Sequence, residues 1–276
     1  MKQVLINNSI FFHQAAILQD GKLQDYMHEE KNNNSVVGNI YKGRVMNILP
    51  GMEAAFVDVG LDKNAYLFTD DLLSDKFLEE KNIKKKDVTS ISKVLKKGDE
   101  VLVQIVREPI GEKNVAVTTD ISISGKYIAI IPKSKEINIS KKIRNVEERN
   151  RLIKIGKSIM KDGNGMIIRT FSTNCSMEEI EKEYKMLTSI FAQIEQEYSY
   201  SYAPKLLYKN NSFIEKLFFD NIDLTIDEIY VEDKKTKEKI ESLIKGYSSN
   251  ELKNIRIIES SNPFEKFNVE NQINML

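Results

Sequence analysis

The chain has 276 residues, and its 41 Lys and Arg balance 41 Asp and Glu at a net charge of zero, so any affinity for nucleic acid must come from local clusters rather than a global field. Its 41% hydrophobic content suits a globular protein of two or three domains. The lone Cys175 excludes an internal disulfide and a paired-cysteine metal knuckle, the N-terminus is a poor signal peptide, and no run reaches the ~20 apolar residues of a membrane span, which together point to the cytoplasm.

Residues 1–34 read as strands. Val4-Leu5-Ile6 is a short apolar run, and Ala15 to Leu18 leads into Asp20-Gly21, a two-residue hairpin signal, before Leu23 and Tyr26 on the return strand. The polar stretch 29–35 is the first boundary. Residues 36–119 are dense in β signals. Tyr41 to Ile48 precedes a Pro50-Gly51 turn; Ala54 to Val59 reads as a buried strand and Ala65 to Phe68 as the next. A charged insertion follows over 70–96. Gly98-Asp99 turns into Val101 to Val106, and Val115-Ala116-Val117 closes the unit. Short strands with turns at these intervals suggest a small barrel of the OB type.

Residues 120–203 are mixed. Tyr127 to Pro132 is a strand, 145–160 a helix, and Met166 to Ile168 a strand followed at once by Arg169-Thr170. Ser176 and Glu179 form a capping box, and the helix they open runs to about Tyr198 with Ile180, Tyr184, Leu187 and Ile194 on its apolar stripe. Beyond residue 204 the elements alternate: a strand at Leu206 to Tyr208, a helix from Phe213, a strand from Glu228, a helix from Lys234 and a strand from Ile255. A last helix starting at Pro263 runs to the C-terminus without a stop signal.

The block 38–68, GNIYKGRVMNILPGMEAAFVDVGLDKNAYLF, carries the strongest chemistry. Single-stranded RNA on a barrel needs aromatic faces for base stacking and cations for phosphates. Phe56 and Tyr66 fall on neighbouring strands, with Tyr41, Lys42 and Arg44 close in sequence. From the residues alone, both rings are equally at home in a barrel core. Arg169-Thr170 is, by itself, an ordinary strand end. His13 and His28 are isolated, and the acids Asp220, Asp223, Asp227 and Glu228 read as solvated rather than as a metal pair.

The phrases NIYKGRV, LPGMEAAFVDVGLDKNAYL, VTTDISISGKY and GMIIRT, with MKQVLIN at the start, resemble the ribonuclease E/G family in order and over nearly the whole chain. The resemblance implies an α+β fold. A ribonuclease-H-like domain, split over 1–34 and 204–276, would hold an S-one-type OB-fold barrel at 35–119 and a small α/β subdomain at 120–203 that senses an RNA 5′ end.

It also implies site residues. Phe56, Tyr66 and Lys113 match the RNA contacts of the barrel, with Tyr66 in place of a phenylalanine. Gly125, Arg169 and Thr170 match a pocket for a 5′-monophosphate. A guanidinium suits phosphate oxygens bidentately, a hydroxyl adds a hydrogen bond, and glycine permits close backbone approach. Ala129 stands where relatives carry valine, and FSTNCS replaces a glycine-rich segment.

The implied activity is magnesium-dependent cleavage of single-stranded RNA, such as rRNA precursors and mRNA, by an enzyme that oligomerises with its own copies. The family's magnesium-binding aspartates and cysteine-pair zinc link belong to a domain further downstream, so no catalytic or metal residue is assigned to this chain and no bound metal is expected on it. The chain is expected to stop about where that domain begins. The alternative is a stand-alone, non-catalytic RNA-binding protein.

Overall fold

The computed structural model describes residues 1–31, 35–72, 91–107, 114–160, 163–222, 225–246 and 254–274. The fold divides into two units, one of Met1–Ser35 with Asn211–Leu276 and one of Val36–Asn210.

In the first unit, β1 (Lys2–Asn8), β2 (Phe12–Gln19) and β3 (Lys22–Glu30) form an antiparallel meander. Asp20 and Gly21 both take positive φ, 50° and 78°, the two-residue turn whose twist matches the flanking strands. Val4, Ile6 and Ala15 enter one apolar cluster, and Leu5, Ala16 and Leu18 another. A sheet covered on both faces explains why these strands read as unbroken apolar runs instead of alternating.

The second unit begins with β4 (Ile40–Leu49), β5 (Ala54–Asp58), β6 (Ala65–Phe68), β7 (Glu100–Arg107) and β8 (Ala116–Thr118). They pair in the order β4-β5-β6-β8-β7, and β7 returns to β4, which closes a five-stranded OB-like barrel. Among the described barrel strands, only β6 and β8 run parallel. Val45, Ala55, Val57, Ala65, Leu67 and Val103 point inward. The chain then builds β9 (Ile123–Ser124), β10 (Ile128–Ile131), β11 (Ile137–Ile139), α1 (Val146–Ile159), β12 (Gly165–Ile168) and α2 (Met177–Tyr200). The sheet order is β11-β12-β10-β9, with α1 bridging the parallel pair β11 and β12. Strands β9 and β11 are too short to leave a periodic signal. Ser176 and Glu179 form the expected reciprocal cap of α2.

β13 (Lys205–Tyr208) pairs antiparallel with β4, so this strand sits in the barrel's sheet rather than with the closing segment. The reason is geometric. β5 covers β4 only from Arg44 to Leu49, and β13 takes the same edge at Ile40–Lys42.

The chain returns to the first unit with α3 (Phe213–Asn221), β14 (Glu228–Val231), α4 (Lys234–Gly246), β15 (Arg256–Glu259), α5 (Pro263–Lys266) and α6 (Val269–Ile273). β14 lies parallel to β1 and β15 parallel to β14, which gives one mixed sheet, β15-β14-β1-β2-β3, from both ends of the sequence. The single closing helix expected from Pro263 is instead two short ones, separated by Asn268 in the left-handed region at φ 53°. The whole is α+β. No helix among the described residues is long and apolar enough to cross a membrane.

Candidate functional site

Alternation along β5 and β6 decides where the barrel's rings go. Ala55, Val57, Ala65 and Leu67 face the core, so Phe56, Tyr66 and Phe68 face outward. Phe56 and Tyr66 are directly opposed across the strand pair, their ring centroids 4.9 Å apart and edge-to-face at 75°. Tyr66 and Phe68 follow at 4.9 Å with a 35° tilt. The Tyr66 hydroxyl donates to Met52 Sδ at 3.3 Å. Phe68 is 38% exposed and Met52 59%, Phe56 and Tyr66 are half-buried, and none of the three rings belongs to the barrel's core cluster.

Phe68 was not singled out in the sequence. Its signal was there, two residues after Tyr66 and therefore on the same face of the strand. Lys113 lies outside the described residues. Next to it in the chain, Asn114 donates to the Asn64 carbonyl at 2.7 Å, two residues before Tyr66.

Tyr41 and Lys42, close in sequence to these rings, do not belong to this face. Tyr41 is 5% exposed and belongs to the barrel core. Lys42 is equally buried; its ammonium donates to the Tyr198 and Ser201 carbonyls at 2.9 and 2.8 Å, pairs with Glu100 at 2.8 Å and sits over the Tyr198 ring. It anchors the end of α2 to the barrel. The hydrogen bond from Lys42 is the main cause holding the Glu100 carboxyl below its ordinary range. Arg44 is exposed and shares Glu100 at 3.1 Å.

The second cluster lies in the β9–β12 sheet. Arg169 follows β12 directly, and its guanidinium donates to the Gly125 carbonyl at 2.8 Å; its backbone N–H donates to the Tyr127 carbonyl at 2.8 Å. Thr170 is exposed, and its hydroxyl is 3.4 Å from that of Ser140. The fold therefore brings Gly125, Arg169 and Thr170 together.

Gly125 is needed for a reason not visible in the sequence. The carboxylate of Glu183, on α2, accepts the backbone N–H groups of Lys126, Tyr127 and Ile128 at 2.7, 2.7 and 2.8 Å. A Cβ at Gly125 would stand 2.5 Å from that carboxylate. The expected close backbone approach is thus satisfied from within, by a buried side chain. Glu183 was missed because an acid on a helix reads as a solvent-facing residue. Its place three residues after Ile180 and four before Leu187, both buried, was the available clue.

Ala129 lies on β10 opposite Ile167. The segment that departs from the glycine-rich pattern is tied down: the Ser172 hydroxyl donates to the Tyr127 carbonyl at 2.6 Å, and the Cys175 thiol donates to the Phe171 carbonyl at 3.0 Å. Burial pushes the Cys175 thiol up to about 12, which keeps it protonated at neutral pH.

Of the acids near 220–228, Asp227 and Glu228 act in the fold. Asp220 lies in α3, and Asp223 is outside the described residues. Asp227 accepts the Lys2 N–H at 2.7 Å. Glu228 accepts from Gln3 at 2.8 Å, Tyr230 at 3.0 Å and Arg256. His13 is held by Asn8 at 2.7 Å and stacks on Phe213. Among the described residues, no group of three or more His, Cys, Asp or Glu side chains lies together.

The sequence model described as the Ribonuclease E/G family matches residues 122–276. Ribonuclease G of Haemophilus influenzae is 29% identical over 274 residues, covering 98% of this chain and 56% of its own length. Ribonuclease G of Escherichia coli K12 is 29% identical over 273 residues with the same coverage. Ribonuclease E of Haemophilus influenzae is 29% identical over 277 residues, or 99% of this chain and 29% of its own. The chain thus spans about half the length of the ribonuclease G relatives it matches.

Proposed function

The chain belongs to the ribonuclease E/G family, and on that premise we propose that it forms the RNA-holding part of a cytoplasmic endoribonuclease that cuts single-stranded RNA. The observation that carries the reading is the outward row of Phe56, Tyr66 and Phe68 on a closed barrel. Stacked bases need flat faces free of the core, and these rings supply them without regard to base identity. Lys113 is proposed to add a cation at this face.

Arg169 and Thr170 are proposed to take a 5′-monophosphate. The guanidinium donates to the Gly125 carbonyl, and the Glu183 carboxylate holds the three residues that follow Gly125 through their N–H groups. A positioned guanidinium and a neighbouring hydroxyl form the donor pair that phosphate oxygens require. The mixed sheet of the first unit supports reading residues 1–34 and the closing segment as a ribonuclease-H-like domain with a structural role. Magnesium, which the family resemblance attributes to the cutting step, would be held by residues outside those described.

The test is a binding and cleavage assay of this chain with a short, AU-rich, 5′-monophosphorylated RNA and its 5′-hydroxyl twin in the presence of magnesium. Salt-sensitive binding that favours the phosphorylated strand is expected. Absence of binding to either strand would overturn the proposal. Arg169→Ala is expected to bring the ratio of the two affinities to one while the aromatic face still binds. An unchanged ratio would remove Arg169 from the phosphate site.

A further inference from the structure

A cavity of about 700 Å³ opens beside Thr170, and Lys142, Arg144, Glu147, Thr173 and Asn174 are among its lining residues. The loop that supplies its cations is built, not loose. Arg149 on α1 donates to the carbonyls of Ser140 and Ile143, both at 3.1 Å, and pins the turn from inside. Ile143 is 5% exposed, so its neighbours Lys142 and Arg144 both point outward.

The nearby charges divide into two groups. Arg151 is consumed: it grips Glu148 through two 2.7 Å hydrogen bonds and donates to the Cys175 carbonyl at 2.9 Å. Lys142 and Arg144 have no side-chain hydrogen bond or ion pair among the described residues, nor does Glu147. Two cations therefore face the cavity against one acid that no cation neutralises. The volume is that of a site for a nucleotide-sized ligand.

Resting on the reading of Arg169 and Thr170 as the 5′-phosphate site, we propose that this cavity holds the backbone just 3′ of the terminal nucleotide, with Lys142 and Arg144 contacting internal phosphodiesters. Thr170 links the two sites, because it follows Arg169 directly and also lines the cavity. The terminal phosphate would report the chemical state of the end. The cavity would set the direction in which the strand leaves it, independent of that state.

The experiment is fluorescence anisotropy of the whole chain with 5′-phosphorylated and 5′-hydroxyl oligoribonucleotides across a salt series, comparing the wild type with Lys142→Ala/Arg144→Ala. The double variant should bind both RNAs on the order of tenfold more weakly at low salt. Its log–log salt slope should be shallower by roughly 1.4, about 0.7 for each phosphate of a single strand that is no longer neutralised. The ratio of 5′-phosphate to 5′-hydroxyl affinity should stay at the wild-type value, and binding of a 5′-mononucleotide should not change.

Lys141→Ala is the control, because Lys141 is exposed in the same loop but does not line the cavity. An unchanged slope in the double variant overturns the proposal, and so does an equal loss in Lys141→Ala, which would mean a diffuse field. A shallower slope in the double variant, combined with an unaltered end preference in Arg169→Ala, would keep the phosphodiester site and defeat the sensor reading alone.

Discussion

Replacing Phe56 and Tyr66 together by alanine is expected to weaken binding of unstructured RNA by roughly 1–3 kcal/mol for each ring that stacks a base. At one to two orders of magnitude per ring, the double variant would fall below detection in most filter assays. The folded barrel should survive. Neither ring enters the apolar cluster that Val57, Leu67 and their neighbours form, so truncation opens no core cavity. The edge-to-face pairing of the two rings is worth only about 0.5–1.5 kcal/mol beyond area. Urea unfolding and RNA titration of the same preparation separate the two effects. A barrel that unfolds while affinity per folded molecule holds steady would show the rings to be structural. Phe68→Ala should give a smaller loss of the same kind, restricted to strands long enough to reach a third ring.

Glu183→Ala is expected to cost at least about 3 kcal/mol of stability, since an orphaned buried N–H costs roughly 1–3 kcal/mol and three would lose their acceptor. Against a typical total of about 5–15 kcal/mol, that is enough to unfold much of the population at moderate urea. Glu183→Gln should fall between, because its amide keeps one acceptor oxygen but presents an NH₂ to donors. Gly125→Ala should mimic the loss from the other side, by driving a Cβ into the carboxylate. The three N–H groups belong to the residues that follow Gly125, whose carbonyl orients Arg169. The 5′-phosphate preference of the folded fraction should therefore drop as well. A shift in unfolding free energy under about 1 kcal/mol for Glu183→Ala would mean that water replaces the carboxylate, and would refute this account.

Local chemistry determined much of this protein in advance. The Asp20-Gly21 hairpin, the Ser176–Glu179 cap and the apolar stripe of α2 follow from turn geometry, capping and helical period. The strands around Phe56 and Tyr66 were also legible, as was the pairing of Arg169 with Thr170 after a strand. Each rests on residues a few positions apart.

Only tertiary structure decided what depends on distant partners. Whether Phe56 and Tyr66 faced in or out was undetermined until barrel closure assigned the core to Ala55, Val57, Ala65 and Leu67. Lys42 looked like an RNA contact until Tyr198, Ser201 and Glu100 enclosed it. Glu183, 58 positions beyond Gly125, looked like a surface acid until the fold set three backbone donors beside it. A chain pattern records the period of a face. It does not record which face is covered, because burial is conferred by whatever packs against it.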